Sequence, residues 1–392
     1  MPVAAQVLIA GTLFSRLGDT LASLGLVLHA ADRDIRFGVT EVMLAELVPT
    51  VLAAPLIGSL VDRFSARAVC LWALLAQSLS LGAATVVGGF HAKVALIALS
   101  ALAGVASVAA GFKMLPAVAG DRHTGRANSL LTAGLSVAGL IGPPLTGFLN
   151  SQWGTGVLLA VDAVSFLVLA GCTMLAVPSS VDVAIGRRPA TKLADGYRAL
   201  RDAPVVGALM PALAAAMLAT SIENVAGVFY LRDVVHGNDT VFGLFLATWA
   251  LGSVPGALLA GRVDWADRHI LLILGGITGI GLGLLLAGLI PVAAVIFPLF
   301  LIAGFGNGAC NVGLRNAVHS RVPAELHGSA WACFQALSRS CIGLGFLLGT
   351  PNSLVSSRGQ VIVSGVIPLI AIGWAALVTV RRGRHTVPET SA

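Results

Sequence analysis

The sequence predicts an all-helical integral membrane protein with twelve transmembrane helices in two six-helix bundles. Hydrophobic residues make up 57% of the 392 residues and charged residues only 11%, and the mean hydropathy is +0.91. Soluble domains carry roughly a quarter charged residues, so this composition excludes an ordinary soluble fold. Apolar runs of about 20 residues, enough to cross about 30 Å of hydrocarbon as a helix, recur along the whole chain.

The apolar runs give the predicted spans in chain order. The first run has no basic start and contains Arg16 and Asp19, which argues against a signal peptide. Pro291 and a change of pattern separate the ninth span from the tenth. The predicted spans are 7–30, 39–61, 68–89, 94–117, 127–150, 154–177, 204–231, 240–261, 269–289, 292–317, 329–350 and 359–380.

One long polar connection divides the chain into two halves. The predicted parts are an N-terminal bundle at 1–177, a central loop at 178–203, a C-terminal bundle at 204–380 and a tail at 381–392. Arginine and lysine concentrate on the side of the central loop, so the loop and both termini are predicted to be cytoplasmic. The net charge of +6 then reports topology, and no nucleic-acid partner is expected. Within the loop, 194–201 is either a short amphipathic surface helix or solvated linker.

A weak internal repeat supports the two-bundle division. "LAGVASVAAGFKMLPAV" at 102–118 aligns with "IAGFGNGACNVGLRNAV" at 302–318, and "GRANSLLTAGLSVAGLIG" at 125–142 aligns with "GSAWACFQALSRSCIGLG" at 328–345. Equivalent helices are therefore expected around a pseudo-two-fold axis along the membrane normal. A cavity between two such halves is the architecture of an alternating-access transporter.

Two short motifs predict a charged cytoplasmic gate and a kinked helix. After the second span, "GSLVDRFSAR" contains a cytoplasmic gate motif in which glycine permits close helix approach and the charged residues can pair across a gate. In the fifth span, "AGLIGPPLTG" places a proline among small residues, which favours a kink with another helix packed around it. The motif residues are Gly58, Asp62, Arg63 and Arg67 in the first stretch, and Gly142, Pro143 and Gly147 in the second.

These stretches resemble the loop motif and the antiporter motif of the major facilitator superfamily. Ser65 and Ala66 depart from the first pattern, and Ala138 and Thr146 depart from the second. "GRANSLLTA" and "DAVSFLVLA" are also similar to the macrolide-efflux and drug:proton antiporter branch. The resemblance implies a multidrug or antibiotic-resistance exporter of the bacterial inner membrane, with helix 1 lining a central cavity.

Asp19 is the main candidate for proton coupling. An ionised aspartate near a helix centre costs about 3 kcal/mol, so it persists only when it is paired, hydrated or protonated. Arg16 lies three residues away and can pair with it on one helix face. Asp19 is then either one half of a structural ion pair or a proton carrier. Glu223, in the repeat-equivalent seventh span, is a second carrier candidate, or else a hydrated acid near the outer mouth.

Polar residues in the C-terminal half are candidates for the substrate cavity. Their amide and guanidinium groups could hold substrate atoms, or else form interhelical hydrogen bonds. The sequence does not identify a partner for the arginine in the eleventh span. Glu46 and Asp162 are expected as mouth or interhelix groups, with direct proton coupling as the alternative. The candidates are Asn224, Asn307, Asn311, Arg315 and Arg339.

No enzyme, metal or cofactor signature is found. The five cysteines have no CxxC spacing, the eight histidines have no metal-ligand spacing, and no nucleotide-binding P-loop is present. We therefore expect a proton-coupled exporter of amphipathic small molecules that is not an enzyme, is driven by the proton gradient and needs no cofactor. Its expected partners are a small-molecule substrate, protons and membrane lipids, and a monomer is expected. The alternative is an exporter or uniporter of a lipid or siderophore without coupling at Asp19.

Overall fold

The computed structural model is all-helical in the part of the chain that it describes, which confirms the predicted fold class. The described residues are 1–35, 37–61, 64–120, 122–178, 193–262, 269–323, 326–350 and 355–384. The helices are α1 Val3–Asp32, α2 Gly38–Val61, α3 Ala66–Val86, α4 Phe90–Ala119, α5 Thr124–Ala176, α6 Leu193–Asp202, α7 Pro204–Asp233, α8 Asp239–Arg262, α9 His269–Leu289, α10 Ala293–Arg321, α11 His327–Leu348 and α12 Ser357–Arg384.

The helix lengths account for the twelve predicted crossings. Within the described residues, ten helices are long and apolar enough to span a membrane. One of these, α5, has 53 residues and contains two helices that meet at Gly154, each long enough for one crossing. The 24-residue α2 supplies the remaining crossing by length.

The break between the fifth and sixth predicted spans is confirmed at Gly154. They were predicted as the separate helices 127–150 and 154–177, and α5 consists of two helices that meet at Gly154, where the backbone is not helical. Gly154 has φ 73°, a left-handed conformation that glycine adopts without a Cβ clash. Because a single residue can reverse the helix there, no separate loop is needed between the two crossings.

The chain divides into two compact units. Unit 1 contains Met1–Arg188 and Asn238–Ala247, and unit 2 contains Pro189–Gly237 and Thr248–Ala392. In unit 1, α1 packs along α5, while α3 packs against both α4 and α5. In unit 2, α9 packs between α10 and α12, and α7 packs against α11 and α12.

The amphipathic stretch of the central connection forms α6, which packs against α11 in unit 2. Gly196 lies directly against the Ser329 carbonyl, and Leu200 is only 2% exposed. Arg198 and Arg201 on the same helix are exposed. The apolar side of α6 therefore packs on protein, and its basic side faces outward.

Close packing of α8 against α10 depends on glycine. Within unit 2, two glycines on α8 and two on α10, each pair separated by four residues, lie against backbone carbonyls of the facing helix. Such small-residue faces let helices approach closely in a membrane, where association depends on van der Waals contact. The four positions are Gly252, Gly256, Gly304 and Gly308.

We predict that Gly304→Ala destabilises unit 2. A methyl group at this position would collide with the backbone carbonyl of Trp249, so one helix would have to shift. Overpacking of this kind costs about 1–3 kcal/mol, which should appear as a lower thermal unfolding midpoint in detergent or nanodiscs. Gly275→Ala on α9 is the matched control, because no atom lies within 4 Å of its added Cβ. Equal midpoints for the two variants would contradict the close packing.

Candidate functional site

An ion pair lies inside the first membrane-spanning helix. Arg16 Nη1 donates to Asp19 Oδ2 at 2.9 Å, and the two side chains are 57% and 33% exposed. The spacing of three residues places both groups on one face of α1, as the sequence predicts. Among the described residues of unit 1, this is the arginine–carboxylate ion pair in which both side chains belong to one membrane-spanning helix.

Glycines on α1 bring a second acid towards this pair. Gly11, Gly18 and Gly25 recur every seven residues, and each lies against side chains of the second half of α5. Gly18 faces Asp162 and Ser165, and an added Cβ would lie 2.6 Å from Ser165 Oγ. Close contact between α1 and α5 therefore requires glycine at the level of Asp162.

Asp162 and Glu46 lie within electrostatic range of the ion pair of Arg16 and Asp19. Asp162 is 2% exposed and accepts a hydrogen bond from Ser165 Oγ at 3.0 Å. It lies within electrostatic range of Asp19, Arg16 and Glu46. Glu46, on α2, lies close to the Ser23 hydroxyl on α1. The two acids expected as mouth or interhelix groups, or else as direct coupling groups, therefore lie near the main proton-coupling candidate.

We call Arg16, Asp19, Glu46 and Asp162 the carboxylate cluster. Three acids share one guanidinium, so two negative charges would remain unbalanced if all three acids were ionised. Unbalanced charges in a membrane-spanning bundle are costly and mark functional sites. Among the described residues, no group of histidine, cysteine, aspartate or glutamate is arranged to hold a metal ion.

Only part of the predicted gate motif can be located. Asp62 and Arg63 lie outside the described residues, and Gly58 lies within α2. Arg67 Nη2 donates to the Met174 carbonyl near the end of α5 at 3.1 Å. The described contact of Arg67 is therefore within unit 1.

The proline motif of α5 forms close contacts inside unit 1. Gly142 faces Thr20 on α1, where an added Cβ would lie 2.8 Å from Thr20 Cγ2. Gly147 lies against the backbone of Asp239 at the start of α8, and Gly243 lies against the Pro143 carbonyl. Small residues therefore surround the proline, as the motif predicts.

The same end of α5 carries a hydrogen bond to α8. Asn150 Nδ2 donates to the Asp239 carboxylate at 2.7 Å, and Thr155 Oγ1 donates to Asn150 Oδ1 at 3.0 Å. Both contacts lie inside unit 1. This polar chain fixes the start of α8 against α5.

Glu223 in unit 2 has different surroundings from the carboxylate cluster. It is 7% exposed, and Gly227, one turn later on α7, leaves room for its carboxylate. Among the described residues, no basic side chain lies close enough to stabilise the negative charge of the Glu223 carboxylate. Asn224, the next residue, is exposed. Glu223 is therefore an isolated buried acid.

The predicted substrate-cavity residues of unit 2 lie on α7, α10 and α11. A small cleft of about 50 Å³ is lined by apolar side chains of α7 and α9 and by α10 residues that include Asn307 and Asn311. One turn further along α10, the Arg315 guanidinium stacks 5.2 Å from the ring centroid of Trp331 on α11. Arg339 is exposed at the middle of the apolar window of α11.

Sequence reasoning missed Trp331 and Gln335. Both precede Arg339 at successive spacings of four, the same period that links Asn307, Asn311 and Arg315 on α10. Gln335 is exposed, like Arg339. A search for polar residues at this period on the eleventh span would have found them.

Comparisons with known proteins identify the family. The family model described as Major Facilitator Superfamily matches residues 8–350, most of the chain. The chain belongs to the major facilitator superfamily. No curated protein sequence matches it significantly. It is thus a membrane transporter by family, and nothing in these comparisons indicates an enzyme.

Solved structures share the fold of this superfamily member at low sequence identity. A bacterial homologue of the human lysosomal transporter Spinster is 16% identical, with a TM-score of 0.69 and 97% of each chain covered. The nucleoside transporter NupG is 15% identical, with a TM-score of 0.72 and coverages of 97% and 99%. A bacterial homologue of the iron transporter ferroportin is 17% identical, with a TM-score of 0.72 and coverages of 96% and 98%.

We predict that Arg16→Gln destabilises unit 1 and that adding Asp19→Asn restores much of the loss. Removing Arg16 leaves three acids without a cation, whereas the double variant also removes one acid. We expect a coupling energy of about 1 kcal/mol, because Arg16 is more than half exposed and water screens the pair. Thermal midpoints of the two single variants and the double variant measure this coupling. A double variant no more stable than Arg16→Gln would contradict the charge-balance argument.

Proposed function

We propose that this transporter is a proton-coupled exporter of amphipathic small molecules that works by alternating access. The observation that carries the proposal is the carboxylate cluster, in which three acids share one arginine inside the membrane-spanning part of unit 1. The antiporter-like proline motif of α5 supports the direction of transport. The likeness to the macrolide-efflux branch supports drugs, antibiotics or natural products as the substrates.

Charge balance supports a proton as the coupling ion. Arg16 neutralises Asp19 directly, so the surplus negative charge falls on Glu46 and Asp162. A proton bound in the cluster reduces that surplus without needing a coordination shell, and the described residues offer no arrangement for a metal ion. Asp162 is almost fully buried, whereas Arg16 and Asp19 are partly exposed.

Coupling requires that the proton and the substrate prefer different states of the carrier. A ligand shifts a conformational equilibrium only by its difference in affinity for the two states. In the proposed cycle, protonation from outside favours the inward-open state, and substrate bound from the cytoplasmic side favours the outward-open state. Glu223 is a second proton-binding candidate, because it is buried and no basic side chain among the described residues acts on it.

One alternative keeps the fold and drops the coupling. If Arg16 and Asp19 form a permanent structural pair, the chain is an exporter or uniporter of a lipid or siderophore. The direct contact at 2.9 Å favours this alternative for Asp19 itself. The buried Asp162, which has no such direct contact with Arg16 among the described hydrogen bonds and ion pairs, favours coupling elsewhere in the cluster.

We predict that Asp19→Asn and Asp162→Asn each abolish proton-driven export while substrate binding remains measurable. A susceptibility panel of cells with and without the gene first identifies a transported compound. Export of that compound is then measured in proteoliposomes with and without an imposed pH gradient. Both substitutions keep the shape of the side chain and remove a titrating group. Proton coupling should therefore be lost while helix packing is retained.

Asp202→Asn is the matched control, because this acid is exposed on α6 and pairs with Arg201. The control variant should retain gradient-driven export. Infrared difference spectra across a pH titration add a readout at the site, since the carbonyl band of a protonated acid should weaken in Asp162→Asn. Gradient-driven export that survives in both cluster variants would refute the proposed coupling.

A further inference from the structure

We propose that the transported molecule carries an anionic group, which unit 2 binds through Arg315 and Arg339. This inference rests on the proposed export function and specifies its substrate class. It depends on a surface that we call the basic polar face, formed by Asn311 and Arg315 of α10 and by Trp331, Gln335 and Arg339 of α11. The arrangement of these side chains and the distribution of charge around them carry the argument.

The position of Arg339 requires a polar environment. It lies at the middle of the apolar window 329–348 of α11, and its side chain is exposed. An arginine at the centre of a membrane span costs about 3 kcal/mol when it faces lipid, so exposed arginines at this depth face water. The exposed side of α11 that carries Arg339 and Gln335 therefore lines a wet surface.

The two arginines have no carboxylate partner among the described residues. No described ion pair involves Arg315 or Arg339, and α10 and α11 contain no aspartate or glutamate within the windows 293–318 and 329–348. Glu223 is the buried acid of unit 2, and no arginine among the described residues acts on it. Unit 2 thus presents two positive charges whose counter-charge must come from a ligand or from solution.

The contact between α10 and α11 aligns their polar residues. Arg315 stacks on Trp331, which fixes one level of the two helices. The helices run in opposite directions, so one turn away from this contact Asn311 comes level with Gln335, and two turns away Asn307 comes level with Arg339. Asn311 Nδ2 already donates to the Asn307 carbonyl at 2.9 Å. Gln335 on α11 is therefore the amide that an anion between the levels of the two guanidinium groups would contact.

Stacking on Trp331 holds the Arg315 guanidinium in position to bind an anion. A guanidinium held over an indole ring keeps its planar N–H edges directed outward, and less side-chain freedom is lost when it binds. Planar N–H edges match the oxygens of carboxylate, sulfate and phosphate groups. A neutral ligand would leave both charges unsatisfied, and a cationic ligand would meet repulsion.

The adjacent cleft would bind the apolar part of the transported molecule. Leu213, Ala216 and Met217 of α7 and Leu314 of α10 line it together with Asn307 and Asn311. Arg339 lies about 9 Å along α11 from Gly345, which contacts α7 at Leu218 and Ser221, so Arg339 is level with the α7 side of the cleft. An apolar body in the cleft would place its anionic group at the basic polar face.

Equilibrium binding to the full chain in nanodiscs of zwitterionic lipid tests the proposal. The probes share one apolar body and differ in charge: 2-naphthoate, 2-naphthamide and 2-naphthylmethylammonium. A second set is built in the same way on biphenyl. We expect the carboxylates to bind at least tenfold more tightly than the amides and the ammonium compounds to bind weakest. Arg339→Gln and Arg315→Gln should each weaken carboxylate binding about tenfold, as expected for loss of one charged hydrogen-bonding partner.

Control variants separate charge from folding. Arg339→Lys should retain most of the preference for the anion, and Arg201→Gln, which changes an exposed arginine on α6, should bind like the parent. Equal affinity for the three charge types would overturn the proposal. So would carboxylate binding that survives both arginine-to-glutamine variants, or no carboxylate binding at all.

The anion could also be a membrane lipid. Nanodiscs that contain phosphatidylglycerol distinguish this source, because a lipid ligand would compete with naphthoate at the same arginines and a soluble substrate would bind equally in both bilayers. Failure of the export proposal is a separate result: carboxylate binding that depends on Arg315 and Arg339, without gradient-driven flux, would leave this inference standing and remove proton coupling.

Discussion

The charge balance around Arg16 is the constraint on which the N-terminal bundle depends. The Arg16 guanidinium pairs with Asp19 on α1, and the carboxylates of Glu46 on α2 and Asp162 on α5 lie within electrostatic range of this pair. Removing a charge from water is expensive, and attraction between partners offsets that cost only when each charge has a partner. The ion pair of Arg16 with Asp19 satisfies one acid, so the state of the other two must depend on protons and on access to water.

Glycine makes this concentration of charge geometrically possible. Gly18 lets α1 approach α5 until Asp162 and Ser165 lie beside the turn that carries Asp19. Close packing at glycines recurs in unit 2, where Gly304 and Gly308 let α10 approach α8. In both units helix backbones approach closely because a side chain is absent, and the polar groups lie next to those contacts. Packing and polar chemistry are therefore specified by the same helix faces.

Much of this could be predicted from the sequence, because its strongest signals are local. Apolar length gives the helices, Pro291 marks the break before α10, and the three-residue spacing of Arg16 and Asp19 gives their ion pair. The grouping of Glu46 and Asp162 with Asp19 could not be predicted, since it depends on which helices are neighbours. The break at Gly154 was predicted, because the polar residues after Asn150 separate the spans 127–150 and 154–177.

The two units differ in the charge that their polar groups leave unbalanced. The described groups of the cluster in unit 1 leave surplus negative charge, and the basic polar face of unit 2 leaves surplus positive charge. A carrier with one proton site and one anion site would use these surpluses for separate ligands, so neither ligand would need to displace the other from its binding group. Coupling would then arise through the conformational equilibrium and not through direct competition.

An anionic substrate also changes the energetics of the proposed exchange. Outward movement of one negative charge and inward movement of one proton both carry positive charge inward. An inside-negative membrane potential therefore drives both half-reactions, and it supplies about 2.3 kcal/mol per charge for each 100 mV. For a cationic drug exchanged for one proton the two charge movements cancel, so only the pH gradient and the substrate gradient remain. The two unpaired arginines of unit 2 would thus determine which part of the proton-motive force the carrier can use, as well as which molecule it binds.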